Sequence, residues 1–286
     1  MESVTIRSYA KINLGLRVLA KRSDGYHNIE TIFVPIRLCD KIQLKMIGKD
    51  IIIKTVDDKI KIPKGKTNLA YKASSLFLKA VGSHRGVEIL IKKNIPVGAG
   101  LGGGSSDAAG VLKGLNQLFG NPLTKGDLYN LALKIGMDVP FFLLGKPCYA
   151  TGRGEILEPI TVPELSVVLY YPGYPISTKW AYKNLKVNKF RLTKGNLSLM
   201  ILKEKLKSGD LRNWSRYIVN SFEDLVFDFY PDLAEMKDFF LKNGAFVASL
   251  SGSGSAIYGL VKEKNLGKLK NALQRRHIKT IFTKFV

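Results

Sequence analysis

From Pro96 to Ala109 the chain runs Pro96-Val97-Gly98-Ala99-Gly100-Leu101-Gly102-Gly103-Gly104-Ser105-Ser106-Asp107-Ala108-Ala109, with five glycines in the seven residues from Gly98 to Gly104. Such a run can hold an anion. Glycine has no Cβ to keep a phosphate at a distance, and at a helix start the unpaired N–H groups and the positive end of the helix dipole attract the same charge. Upstream, Val87 to Ile95 is rich in β-branched residues and reads as a strand. Downstream, Ala108, Val111, Leu112, Leu115, Leu118 and Phe119 recur at helical spacing, which predicts a helix capped by Ser105 or Ser106 with Asp107 in its first turn. Gly98 to Gly103 also satisfies G-x-G-x-x-G. A dinucleotide fold, however, wants an acidic residue about 20 positions on at the end of a second strand. Leu118 to Thr124 reads instead as a helix end and a turn. A P-loop would carry a lysine ahead of Ser105, and none stands there. A purely structural glycine turn is the remaining alternative, at an entropic cost.

Three other groupings have side chains suited to chemistry. Lys11 and Asn13, in Ala10-Lys11-Ile12-Asn13-Leu14, fall on one face of a predicted strand, as a reactive pair or as two solvated groups. Tyr26 and His27 follow the turn Ser23-Asp24-Gly25, where an aromatic face and a hydrogen-bonding ring could sandwich and read a planar base. A tyrosine packed on a sheet edge beside an exposed histidine fits the same residues. Asp138 stands in Gly136-Met137-Asp138-Val139-Pro140-Phe141-Phe142, just beyond a predicted helix end. Apolar neighbours desolvate such a carboxylate and raise its pKa unless a cation holds it ionised, and a base of that kind suits proton abstraction. Capping the next turn is the alternative use of Asp138.

Composition narrows the classes. The 286 residues suit one large or two ordinary domains, with 45% hydrophobic and 24% charged residues. No apolar run approaches the roughly 18 residues of a membrane span, and no signal-peptide pattern opens the sequence, so a cytoplasmic protein without a membrane partner is expected. Cys39 and Cys148 lie far apart and read as reduced packing residues; His27, His84 and His277 are isolated, so no protein metal site is expected. The net charge is +22, from 45 Lys and Arg against 23 Asp and Glu. Because the lysines are scattered and no nucleic-acid motif accompanies them, solvated surface charge or steering of a polyanionic substrate is favoured over nucleic-acid binding.

The elements needed to position these groups can be read along the chain. Strands are predicted at Val4 to Ile6, Lys11 to Val18, Ile29 to Leu38, Lys41 to Met46 and Asp50 to Lys54. A helix capped by Thr67 runs to Val81, and another opens at Thr124-Lys125-Gly126-Asp127 and closes at Gly136. A polar connector over 155–163 divides the chain into domains 1–157 and 158–286. Beyond it come a strand from Leu165 to Tyr171, a short segment from Thr178 to Asn184, and helices over Leu197 to Lys207, Leu211 to Phe222 and Pro231 to Lys242. A hairpin joins Phe246–Leu250 to Ala256–Val261 through Ser251-Gly252-Ser253-Gly254-Ser255, a second glycine-serine loop. A helix from Asn265 to Arg276 and a final strand complete an α+β second half.

Taken in order, the strand lysine, the Gly-Leu-Gly-Gly-Gly-Ser-Ser loop, the Asp-Val-Pro-Phe-Phe segment and the late Ser-Gly-Ser-Gly turn resemble the GHMP kinase superfamily. Lys11-Ile12-Asn13-Leu14 and Asp24-Gly25-Tyr26-His27 are most similar to the branch acting on a cytidine-diphosphate-linked methylerythritol in the non-mevalonate route to isoprenoids. The resemblance implies an α+β, two-domain fold: an N-terminal ribosomal-protein-S5-domain-2-like α/β domain and a C-terminal ferredoxin-like α+β domain. It implies ATP-dependent phosphorylation of the substrate's tertiary 2-hydroxyl, with Asp138 taking the proton and Lys11 orienting it and stabilising charge. It places Pro96, Val97, Gly98, Ala99, Gly100, Leu101, Gly102, Gly103, Gly104, Ser105 and Ser106 around the ATP phosphates. Tyr26 and Tyr182 then flank the cytosine, His27 hydrogen-bonds it, and Asn13 and Thr178 contact the rest of the substrate. Mg²⁺ arrives on ATP, and a monomer or weak homodimer is expected. A GHMP kinase for a mevalonate-type, homoserine or sugar alcohol is the alternative enzyme, and a basic nucleic-acid-binding protein the alternative outside enzymes.

Overall fold

Lys41, Gln43 and Lys45 are exposed while Ile42 and Leu44 are buried, the two-residue period of a strand with one covered face. They belong to β2 (His27–Ile47), which pairs with β1 (Ser3–Lys21). A computed structural model describes residues 3–57, 60–63, 65–186, 199–208 and 214–286. The chain forms two compact units from interleaved segments, one holding residues up to Ala10, 38–97 and 102–145, the other holding 11–37, 98–101 and 146–286. Both long strands, expected as shorter pieces, contribute to each unit.

In the first unit β2 runs antiparallel to β4 (Gly86–Lys92) from Lys41 to Ile47, and β3 (Ile51–Thr55) lies parallel to β4. Val87, Ile89 and Ile91 of β4 are buried in alternation, and four helices supply the rest of the core. α1 (Leu69–Ala80) is capped by Asn68, whose Oδ1 accepts the Ala70 N–H at 2.8 Å; Thr67, the expected cap, ends a preceding 3₁₀ turn. α3 (Lys125–Ile135) starts with the predicted Thr124–Asp127 capping box and ends at Gly136. α2 (Gly103–Leu118) and α4 (Val139–Leu144) pack together, and Lys113 Nζ donates to the Phe142 carbonyl at 2.9 Å.

The second unit joins the other parts of β1 and β2 to two short strands absent from the sequence reading, β5 (Cys148–Thr151) and β6 (Ile156–Pro159). A four-residue strand carries too little alternation to be told from a connector. A second sheet holds β7 (Ser166–Tyr170), β8 (Ala245–Leu250), β9 (Ile257–Val261) and β10 (Ile281–Lys284), all antiparallel in the order β10-β7-β9-β8. That order, with helices between β7 and β8 and between β9 and β10, is the ferredoxin-like arrangement.

The helices of this unit are α5 (Thr178–Asn184), α6 (Leu199–Ser208), α7 (Glu223–Phe229), α8 (Pro231–Lys242) and α9 (Glu263–Arg275). Its core gathers Leu16, Val168, Phe222, Leu233, Phe240, Leu250, Ile257 and Leu269. The helix expected over Leu211 to Phe222 is not formed. Residues 211–213 lie outside the described residues, Trp214–Arg216 is a 3₁₀ turn, and Asn220 bridges to Leu16 instead. The start of the expected Leu197–Lys207 helix, residues 197–198, also lies outside them. Both cysteines are free, and burial pushes the Cys148 thiol up to about 12.

Close approach of α2 to the strands beneath it depends on small residues. A methyl group on Gly110 would come within 2.3 Å of Ser8 Oγ and 3.1 Å of Ile42 Cδ1. Gly110→Ala is therefore expected to lower stability by about 1–3 kcal/mol, read as a lower urea midpoint at unchanged slope.

Candidate active site

The glycine loop is built in two parts. Gly98 to Leu101 belongs to the second unit and is fixed there by backbone hydrogen bonds: the Ile176, Ala256 and Lys11 N–H groups donate to the Gly98, Ala99 and Leu101 carbonyls at 3.2, 3.1 and 3.0 Å. Ser251 Oγ donates to the Gly100 carbonyl at 3.1 Å. Gly100 has φ +75°, and a Cβ there would lie 1.9 Å from the Ser251 carbonyl oxygen. The reason for glycine at this position is thus contact with the second glycine-serine loop, in addition to any ligand. Asn220 holds that loop through Nδ2, which donates to the Leu250 and Gly252 carbonyls, both at 2.8 Å.

Gly102 to Ser106 belongs to the first unit and begins α2. The N-cap is Gly102, left-handed at φ +73°, with no side chain capping the turn. The expected cap at Ser105 or Ser106 is therefore corrected, and Asp107 falls in the second turn. Gly103 and Gly104 take helical angles and extend the helix backwards, so Ser106 lies inside it and its Oγ donates to the Tyr9 carbonyl at 2.6 Å. No side chain caps the opening amides of α2, and uncapped amides at a helix start are of the kind that can bind a phosphate.

Behind this helix start sits an ionic cluster absent from the sequence reading. Lys93 Nζ donates to Asp107 Oδ2 at 2.8 Å and to Asp40 Oδ2, and all three side chains are buried. Asp40 Oδ1 also accepts the Asn94 and Ile95 N–H groups at 2.6 and 2.9 Å, fixing the segment that leads to the loop. Burial raises the Asp107 carboxyl to about 7 despite the Lys93 charge, with Asp40 adding repulsion. Lys93 is buried as well, yet the two carboxylates raise its pKa. An acid whose folded pKa exceeds its unfolded value favours folding most when protonated, so this contribution is lost as pH rises from about 4 to about 7. Asp107→Asn should flatten the fall in stability across that window, measured as urea midpoints at a series of pH values.

Asp138 is half-buried at the N-cap position of α4, but its side chain makes no capping bond, so capping does not explain it. In the second unit, Lys11 and Asn13 are both buried rather than solvated. Lys11 Nζ donates to Asn13 Oδ1 at 2.6 Å and lies 5.1 Å from the Phe33 ring centre. Asn13 Nδ2 donates to Thr31 Oγ1 at 2.8 Å, Thr31 Oγ1 donates to the Gly15 carbonyl at 2.7 Å, and the Tyr258 hydroxyl donates to the Asn13 carbonyl at 2.9 Å. Thr31 and Tyr258 escaped the sequence reading because each lies in an apolar strand far along the chain.

The residues expected to read a planar base are in the same unit. His27 and Tyr182 are stacked, with centroids 5.5 Å apart and planes at 27°, and Phe222 meets Tyr182 edge-on at 4.9 Å. Tyr26 is half exposed, and Thr178 Oγ1 lies 3.1 Å from Ser253 Oγ in the second glycine-serine loop. Burial, followed by the nearby Lys21 charge, lowers the His27 pKa, which keeps the ring neutral at pH 7 with one donor and one acceptor nitrogen. Among the described residues, no three His, Cys, Asp or Glu side chains gather as a metal site, and no helix is long and apolar enough to cross a membrane.

The model for the GHMP kinase N-terminal domain matches residues 68–146, and that for the C-terminal domain matches 202–279. A 4-diphosphocytidyl-2-C-methyl-D-erythritol kinase of Chlorobium phaeobacteroides is 41% identical over 92% of this chain and 91% of its own. The chain belongs to the GHMP kinase family. A crystal structure of a 4-(cytidine 5'-diphospho)-2C-methyl-D-erythritol kinase superposes on this GHMP kinase with TM-score 0.81, 35% identity and 99% coverage of both chains. A homoserine kinase from Cytophaga hutchinsonii, with TM-score 0.75, 19% identity and coverage of 100% of this chain and 95% of its own, shares the fold. The two-domain α+β expectation is borne out.

Proposed function

We propose that this GHMP kinase transfers the γ-phosphate of ATP to the 2-hydroxyl of 4-diphosphocytidyl-2-C-methyl-D-erythritol. The observation that carries the reading is the His27–Tyr182 stack, with Tyr26 in the same unit as the buried Lys11–Asn13 pair. Mevalonate, homoserine and sugars have no base for such rings to bind. Relatives about 40% identical over most of the chain carry the corresponding name.

Tyr26 and Tyr182 flank the cytosine, and neutral His27 hydrogen-bonds its edge. Asn13 and Thr178 contact the rest of the substrate. The loop from Pro96 to Ser106 takes the ATP phosphates on backbone donors, while Mg²⁺ arrives on those phosphates and offsets their charge. Asp138 accepts the hydroxyl proton, and Lys11 orients that carboxylate and stabilises developing charge. The enzyme works in the cytoplasm, as a monomer or weak homodimer.

Incubation with ATP, Mg²⁺ and either the cytidine substrate, mevalonate or homoserine, read by mass, is expected to phosphorylate only the first. Phosphorylation of only a non-cytidine alcohol would reject the substrate. Asp138→Asn should lower kcat by about 10²–10⁴ with ATP binding close to that of the parent, measured by steady-state kinetics and nucleotide titration. Near-full turnover would remove Asp138 from the base role.

A further inference from the structure

The turn between β5 and β6 contains Arg153, a residue outside every motif read from the sequence. Its guanidinium carbon lies 5.3 Å from the centre of the Tyr26 ring. Glu155 holds the arginine in place. Arg153 Nε donates to Glu155 Oε1 at 3.1 Å, and Glu155 Oε2 accepts the Arg153 backbone N–H at 2.5 Å. The turn is tied to β2, which Tyr26 immediately precedes, since the Ile29 N–H donates to the Gly152 carbonyl at 2.7 Å.

Tyr26 has its own backbone fixed. Its N–H donates to Asp24 Oδ1 at 3.1 Å, and its carbonyl accepts the Arg22 N–H at 2.7 Å. Arg22 Nε in turn donates to Asp24 Oδ2 at 3.0 Å, and Arg22 Nη1 donates to Asn28 Oδ1 at 2.9 Å. The backbone of the loop tip is thus restrained, while the ring, half exposed, has two rotatable side-chain bonds. A guanidinium over one face restricts those rotations and leaves the other face for a planar ligand.

We infer that Arg153, fixed by Glu155, is a positioning residue that holds the Tyr26 ring ready to stack on the substrate's base. The inference rests on the cytidine reading above. It assigns Arg153 no contact with the reacting atoms, so its effect belongs to binding of the base-bearing substrate and not to phosphoryl transfer.

The test is steady-state kinetics on the full chain, varying 4-diphosphocytidyl-2-C-methyl-D-erythritol and ATP separately. Arg153→Ala should raise KM for the cytidine substrate about 3- to 10-fold, with kcat and the ATP KM within about twofold of the parent. Arg153→Lys, which keeps the charge without the planar fork held by Glu155, should fall between the two. In a Tyr26→Ala background, Arg153→Ala should add less than about twofold. An unchanged cytidine-substrate KM in Arg153→Ala, an equal loss in both substrates' KM, or an undiminished effect in the Tyr26→Ala background would overturn the inference. If Tyr26→Ala itself leaves that KM unchanged, the base-stacking reading fails and the inference with it. A raised KM in Tyr26→Ala with none in Arg153→Ala sinks the positioning role alone.

Discussion

The contact between Gly100 and the Ser251 carbonyl leaves the second unit no room for a side chain at position 100. A Cβ on residue 100 would lie 1.9 Å from that oxygen, so the two glycine-serine loops meet backbone to backbone or not at all. Around the contact, Ser251 Oγ reaches the Gly100 carbonyl and the Ala256 N–H reaches Ala99, while Lys11 is joined to Leu101 through its own N–H. A residue with the wrong shape at position 100 would displace the strand carrying Lys11 and Asn13 as well as the loop. Van der Waals exclusion and hydrogen bonding together therefore set the loop's position.

The buried polar groups do a different job. Lys11, Asn13 and Thr31 form a chain of donors and acceptors that ends on the Gly15 carbonyl. Rotating the Asn13 amide would set a donor against the lysine ammonium, so the chain fixes the amide orientation. Lys93 serves the first unit in a related way, joining Asp40 on β2 to Asp107 on α2. Two carboxylates on one ammonium cannot both be fully compensated, and Asp107 Oδ1 is buried without a hydrogen-bond partner among the described residues. Burial is the main cause of the raised Asp107 pKa, and repulsion from Asp40 adds to it against the Lys93 charge.

Local patterns were legible in the sequence and long-range partners were not. The Thr124–Asp127 box, α8 and the hairpin around Ser251 to Ser255 depend on neighbours a few residues away, and each was found where expected. The α2 start was misplaced because serine outranks glycine as a cap in isolation, whereas Gly102 provides the left-handed turn and Gly103 and Gly104 continue as helix. Trp214, Ile218 and Phe222 have helical spacing, yet Asn220 pairs with Leu16 and its Oδ1 accepts the Phe222 N–H at 2.9 Å. A tertiary bridge overrides the period there. The Lys11–Asn13 face was legible from alternation, but Thr31 and Tyr258 lie 18 and 245 positions from Asn13, where no local pattern reaches.

The start of α2 shows why such departures gather at the site. In the same unit, α1 and α3 satisfy their first N–H groups with Asn68 and Thr124. α2 does not, and the nearby ammonium of Lys93 is already held by two carboxylates. A side-chain cap would stabilise the helix by about 1 kcal/mol, and it would also occupy a donor that a phosphate needs. An unpaired lysine would attract the anion but fix its orientation poorly, because an ammonium is a compact charge with rotatable donors. In the proposed kinase reading, helix-start amides free of a side-chain cap, beside a neutralised lysine, are what give the phosphates their direction. That arrangement suits phosphoryl transfer, where positioning of the phosphates supplies much of the catalysis.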